Sequence, residues 1–131
     1  MKNRIIWYMI SLILLCTSVK GYAQGIDFFK GTFNEALTKA ANEGKLVFVD
    51  FYATWCGPCK MLAPVFEQAG EEMKNDATFL KVDIDQSLEL AQQFRISTVP
   101  TMMIFKDGKP VETLVGFMPK ERIVQKVKSH L

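Results

Sequence analysis

Leu46-Val47-Phe48-Val49-Asp50-Phe51-Tyr52, followed within four residues by Cys56-Gly57-Pro58-Cys59-Lys60-Met61-Leu62, decides how this chain is read. The first run is apolar and aromatic and is broken by a single charge. That is the composition of a central strand covered on both faces, where hydrophobicity is continuous instead of alternating. After it, Met61, Leu62, Val65, Phe66, Ala69 and Met73 recur at helical spacing, and Pro58 suits the first position of a helix, where a missing N–H costs nothing. Two thiols three positions apart therefore stand at a strand-to-helix junction.

The position matters because a thiolate, not a thiol, attacks a disulfide. Unpaired N–H groups and the positive end of the helix dipole favour an anion at Cys56. That stabilisation reaches at most about 2 kcal/mol, or about 1.5 pKa units. Cys56 is thus the expected attacking sulfur. Cys59, one turn inward and expected to be less exposed, resolves the mixed disulfide. A structural staple is a poor alternative, because so short a loop gains only about 2 kcal/mol from closure. Zinc wants four ligands, and besides this pair the chain downstream of Cys16 offers only His130, read as a solvated terminal residue. Covalent haem would need His where Lys60 stands. No metal and no cofactor are expected.

Asp50 interrupts a strand that otherwise avoids charge. Burying a carboxylate costs several kcal/mol unless it is paired or neutral. It reads as a raised-pKa carboxyl behind the cysteines, taking a proton from Cys59 and returning it on reversal; an edge-facing or salt-bridged Asp is the plainer reading. Lys81, in Phe79-Leu80-Lys81-Val82-Asp83, is its candidate partner from the adjacent strand.

Working outward, Gly25–Lys30 reads as a short first strand. Thr32-Phe33-Asn34-Glu35 has capping-box spacing ahead of the stripe Phe33, Ala36, Leu37, Ala40, Ala41, and Gly44 ends that helix. Pro64 should kink the helix after the cysteines. Thr78–Ile84 is a strand, Leu88–Phe94 a short helix capped by Ser87, and Thr101–Phe105 a strand. Asp107-Gly108 is a two-residue hairpin turn, and Pro110–Val115 is the return strand, at an edge because of its proline. Pro119 opens a last helix with Ile123, Val124, Val127 and Leu131 inward. The order β-α-β-α-β-α-β-β-α predicts an α/β fold, a central mixed sheet flanked by helices on both faces.

The first 23 residues are read apart from this domain. Lys2 and Arg4 precede an apolar stretch from Ile5 to Val19, and Gly21 and Ala23 are small. This is the layout of a signal peptide cut after Ala23, leaving residues 24–131 as one domain. The apolar stretch is short for a membrane span of about 20 residues. An uncleaved anchor, which would be the chain's membrane contact, and lipidation at Cys16, disfavoured by bulky Leu15, are the other readings. The formal charge of +2 includes Lys2, Arg4 and Lys20; without them acidic residues outnumber basic ones by one, which gives no case for nucleic acid. A secreted domain sits where disulfides persist, and this form of leader suggests a bacterial periplasm.

The stretch Phe51-Tyr52-Ala53-Thr54-Trp55-Cys56-Gly57-Pro58-Cys59-Lys60-Met61-Leu62-Ala63-Pro64 resembles the active-site signature of the thioredoxin family. Val82-Asp83-Ile84-Asp85, Val99-Pro100-Thr101, Phe105-Lys106-Asp107-Gly108 and Gly116 match further motifs of that family in order. The resemblance implies a thioredoxin fold and a thiol–disulfide oxidoreductase. It would exchange disulfides with protein substrates and with a redox partner protein, as a monomer, with no cofactor. It implies Cys56 as nucleophile, Cys59 as resolving thiol, Asp50 as proton carrier and Lys81 as its modulator. It also implies a cis Val99–Pro100 bond facing the sulfurs. Trp55, Gly57, Pro58, Val99, Gly116 and Phe117 would form a flat apolar surface, across which an extended substrate pairs with the backbone near Val99. Phe117 is bulkier than the alanine common there, and Gly25–Lys45 is more similar to secreted members. The Gly-Pro spacer resembles reducing thioredoxins; an oxidising compartment favours an oxidase or isomerase instead. A binding module using the apolar surface alone is the rival from another class.

Overall fold

In the computed structural model, residues 31–131 are described. The expected leader and the strand at 25–30 lie outside them. Four strands, β1 (Leu46–Tyr52), β2 (Ala77–Asp83), β3 (Thr101–Lys106) and β4 (Lys109–Val115), form one sheet in the order β2-β1-β3-β4. Helix α2 (Gly57–Glu72) carries the chain from β1 across to β2, so those two are parallel, whereas β3 runs antiparallel to both β1 and β4. Helices α1 (Phe33–Asn42), α3 (Leu88–Gln93) and α4 (Lys120–Lys128) complete the fold. Sequence boundaries and observed ones differ by a residue or so at most strand ends.

Period-two alternation in β1 divides the core in two. Leu46 and Phe48 face α2 and α4, with Phe66, Leu62, Ile123 and Val127. Val47, Val49 and Phe51 face α1 and α3, with Phe33, Ala36 and Phe105. The mixed sheet covered on both faces is thus the observed architecture. It explains why β1 reads as continuously apolar: each face of a central strand needs its own hydrophobic set. Phe66 of α2 stacks on Phe48 and tilts against Phe79 (centroids 5.5 and 5.0 Å), which fixes the helix that carries the cysteines onto β1 and β2.

The local signals act as their chemistry suggests. Thr32 caps α1 through Glu35 N–H while Glu35 returns to Thr32 N–H, a complete capping box. Gly44 follows at φ +67°, with Gly44 N–H on Ala41 O and Lys45 N–H on Ala40 O. Asp107 and Gly108, both at positive φ, make the β3–β4 turn. Pro110 stands opposite Phe105, and a register shift after that pair sets Glu112 opposite Ile104, leaving Val111 as the extra residue, half-exposed on the edge strand.

Pro64 lies within α2 at an exposed position, and the helix runs continuously past it from Gly57 to Glu72. Three expectations are corrected. Ser87 stands at the start of α3, but its side chain makes no capping bond. Leu131 is 58% exposed: α4 ends at Lys128, so the helical spacing from Val127 no longer holds. His130 is not a free terminal residue. Its Nε2 meets Glu112 of β4, which also binds Lys126, and Lys106 Nζ donates to the His130 carbonyl. These contacts hold the Glu112 carboxyl below its ordinary range.

Truncating Phe66, fully buried between two strands, should cost about 3–5 kcal/mol as Phe66→Ala. Urea unfolding monitored by far-UV circular dichroism measures it; a loss below about 1 kcal/mol would contradict the packing described.

Candidate active site

The junction between β1 and α2 is built by three backbone decisions. Cys56 N–H turns back to Ala53 O (3.3 Å), Cys56 keeps an extended conformation, and Lys60 N–H then bonds Cys56 O. Cys56 is therefore the N-cap of α2, and its Sγ accepts the Cys59 N–H at 3.2 Å. A sulfur takes the place that a serine or aspartate oxygen usually holds, so the helix start directs a donor at the atom on which negative charge would sit. The two sulfurs are joined in a disulfide, with the Cα atoms 5.3 Å apart.

Both cysteines are buried, Cys56 at 5% and Cys59 at 3% exposure. The expected contrast between an open and a hidden thiol is absent in this disulfide form, since both pack against Ala53, Tyr52, Ile84 and Val99. The Val99–Pro100 bond is cis, and the Val99 carbonyl oxygen lies 3.6 Å from Cys56 Sγ. Pro100 itself is buried and so backs the sulfurs without forming an outer surface. Its carbonyl accepts Gly116 N–H at 2.9 Å, and Gly116 at φ +89° takes a backbone conformation that other residues enter only with strain. That bond ties the end of β4 to the Val99–Pro100 loop.

Around the sulfurs, Gly57 and Pro58 are exposed, Val99 and Gly116 partly so, and Phe117 is 45% exposed. Trp55 is 67% exposed, which removes core packing as its explanation. Its ring is held by an Nε1–H bond to Asp85 Oδ2 at 2.9 Å. In the sequence Asp85 is only part of the Val82-Asp83-Ile84-Asp85 motif; the contact with Trp55 gives it a role. Met61, expected on the apolar stripe of α2, is instead over 60% exposed, as is Val115, next to Gly116. A large apolar residue at an exposed position of an otherwise amphipathic element is the signal that could have found them.

Asp50 lies on the face of β1 that looks toward α2, two residues along from Phe48. It is fully buried, and neither carboxylate oxygen has a hydrogen-bond donor among the described protein groups. Both plainer readings, edge-facing or salt-bridged, are therefore set aside. Burial raises its pKa from 3.8 to about 6, and the positive charge of Lys81 limits the rise. Lys81 is the residue paired with Asp50 across the β1–β2 ladder, and its ammonium sits 4.5 Å from the Tyr52 ring centroid. Burial and the charges of Asp83 and Asp50 push the Tyr52 hydroxyl up. A proton acceptor that titrates near neutrality thus sits under the helix that carries the dithiol. Among the described residues, no group of three or more His, Cys, Asp or Glu is arranged to hold a metal ion.

Residues 26–129 match the family model described as Thioredoxin. A curated protein named Thioredoxin from Staphylococcus saprophyticus is 47% identical over 83 residues, spanning 63% of this chain and 80% of its own length. Another of that name, from Staphylococcus aureus, is 44% identical over 89 residues, spanning 68% and 86% respectively.

The raised carboxyl has a measurable consequence for stability. Between about pH 4 and 6 the folded protein holds a proton at Asp50 that the unfolded chain has released, so stability falls as pH rises through that window and stays lower above it. Asp50→Asn should remove this loss. Relative to wild type, the variant gains about 2 kcal/mol between pH 4 and pH 7.5, read from urea midpoints at the two pH values. Parallel pH curves for both proteins would show that Asp50 has an ordinary pKa.

Proposed function

We propose, from the premise that this chain belongs to the thioredoxin family, that it reduces disulfides of client proteins in a compartment beyond the cytoplasm. The coarser activity follows from the family: the protein is a thiol–disulfide oxidoreductase acting on protein disulfides. The direction is supported by the Gly57-Pro58 spacer, which resembles that of low-potential members. The compartment, a bacterial periplasm, is supported by the basic-then-apolar character of residues 2–23.

The single observation that carries the mechanism is Cys56 Sγ at the head of α2, accepting the Cys59 N–H and facing the Val99 carbonyl. In the reduced protein that donor and the helix start favour the Cys56 thiolate. It attacks one sulfur of a client disulfide; the other client sulfur leaves as a thiolate and takes a proton. Cys59 then gives its proton to Asp50 and attacks Cys56 Sγ. The second client sulfur departs, and the proton passes back through Asp50 toward it. Two electrons have moved to the client, and the Cys56–Cys59 disulfide of the structure remains. Lys81 keeps the Asp50 pKa from rising further, so that the carboxyl is an anion and able to accept at neutral pH. A redox partner protein with a dithiol of its own resets the pair by the reverse exchange. The client lies extended across Trp55, Gly57, Pro58, Gly116 and Phe117, its backbone against Val99.

Four measurements test this. Cys56→Ser should abolish insulin-disulfide reduction, and Cys59→Ser should accumulate a mixed disulfide visible on non-reducing gels; a Cys56→Ser variant that loses reduction yet keeps the biological role would leave only a binding module. Asp50→Asn should slow turnover between pH 6 and 9, and equal rates would remove the proton-carrier role. The pair's reduction potential should lie near about −270 mV; a value near about −120 mV would make the protein an oxidase.

A further inference from the structure

A groove of about 420 Å³ adjoins the sulfurs on the Trp55 side, lined by Ile84, Asp85, Leu88, Gln92, Arg95 and Ser97 among others. It is continuous with the site in three ways. Ile84 packs on the Ala53–Cys56–Cys59 cluster, Asp85 holds the Trp55 ring, and Ser97 precedes Val99 by two residues. An extended segment paired with Val99 therefore has the groove as a path for its continuation.

Arg95 is the unusual residue of that wall. It ends α3 in the same cap that ends α1: Arg95 N–H bonds Gln92 O and Ile96 N–H bonds Ala91 O. In α1 the left-handed position of this cap is Gly44 at φ +67°; in α3 it is Arg95 at φ +54°. Glycine takes that conformation freely and a side-chain-bearing residue does so at a cost in stability, and such costs gather where function requires the side chain. Arg95 is exposed, and none of the ion pairs among the described residues includes it. The acids nearby already spend oxygens internally. Asp85 Oδ2 accepts from Trp55, and Asp83 Oδ1 accepts from Asp85 N–H. Leu88, 61% exposed, supplies an apolar wall for the stem of an incoming side chain.

We infer that Arg95 is a specificity-determining residue. It favours client segments that carry a carboxylate side chain a short distance from the attacked cysteine, the chain lying along Val99 and the carboxylate meeting the guanidinium over Leu88. This deepens the oxidoreductase reading and rests on it.

Disulfide peptides that differ only in Gln, Glu or Lys provide the test. The varied position is placed about two to five residues from the attacked cysteine on either side, the reach of extended chain at about 3.3 Å per residue. The best Glu peptide should exceed its Gln twin by about fivefold in kcat/KM, the scale of an exposed arginine–carboxylate pair. The difference should lie in KM and shrink in 0.5 M salt, and the Lys peptide should be the slowest. In Arg95→Gln and in Arg95→Gly, which suits the cap backbone, the Glu-to-Gln ratio should fall to about one. A ratio of one in the wild type, a preference for Lys, or a ratio that survives both variants overturns the inference. Equal reduction of every peptide leaves the oxidoreductase reading standing, whereas failure to reduce any of them removes both.

Discussion

A sulfur that caps a helix is the constraint on which the rest of the structure turns. Cys56 must end the path of β1 and begin α2 at once, with its own N–H returned to Ala53 and its Sγ receiving the N–H of Cys59. That arrangement is available only if β1 and α2 are held at a fixed angle and distance. The aromatic cluster of Phe48, Phe66 and Phe79 does this from below, and the Val99–Pro100 loop, tied to Gly116, closes it from the side. The core therefore serves the site directly: what it stabilises is the position of one atom relative to a helix terminus.

The same geometry explains why two groups break ordinary rules next to it. Asp50 is buried with no hydrogen-bond donor to its oxygens, and Arg95 occupies a left-handed position that glycine fills in the equivalent cap of α1. Each is costly by itself. One lies beneath α2 in the sheet, and the other lines the groove that Asp85, the partner of Trp55, also lines. A fold whose α1 capping box and core faces agree with their local sequence can carry two such violations, and the neighbourhood of a reactive pair is where such violations are expected to gather.

Much of this was legible in the residues because the signals were local or strictly periodic. Continuous hydrophobicity marked β1 as central, the Thr32–Glu35 spacing marked a capping box, and Asp107-Gly108 marked the hairpin; each depends on neighbours a few positions away. Asp50 was legible for a different reason, as a charge in a strand that tolerates none. What escaped depended on contacts between distant segments. His130 looked solvated because nothing near it in sequence announces Glu112, 18 positions earlier on an edge strand. Asp85 had no assignable role until Trp55, 30 positions before it, was placed against it. Leu131 fitted a helical stripe that the chain stops before reaching.

The burial of Cys56 shows most clearly what a sequence position leaves undetermined. Reading from the helix start, an N-cap sulfur should be open to solvent and Cys59 should not; in the disulfide, both are nearly covered. Ala53, Tyr52, Ile84 and Val99 pack around the bonded pair. The Val99 carbonyl oxygen stands 3.6 Å from Cys56 Sγ, so backbone lies beside the pair, and an extended segment able to pair with that backbone is the natural counterpart of this surface.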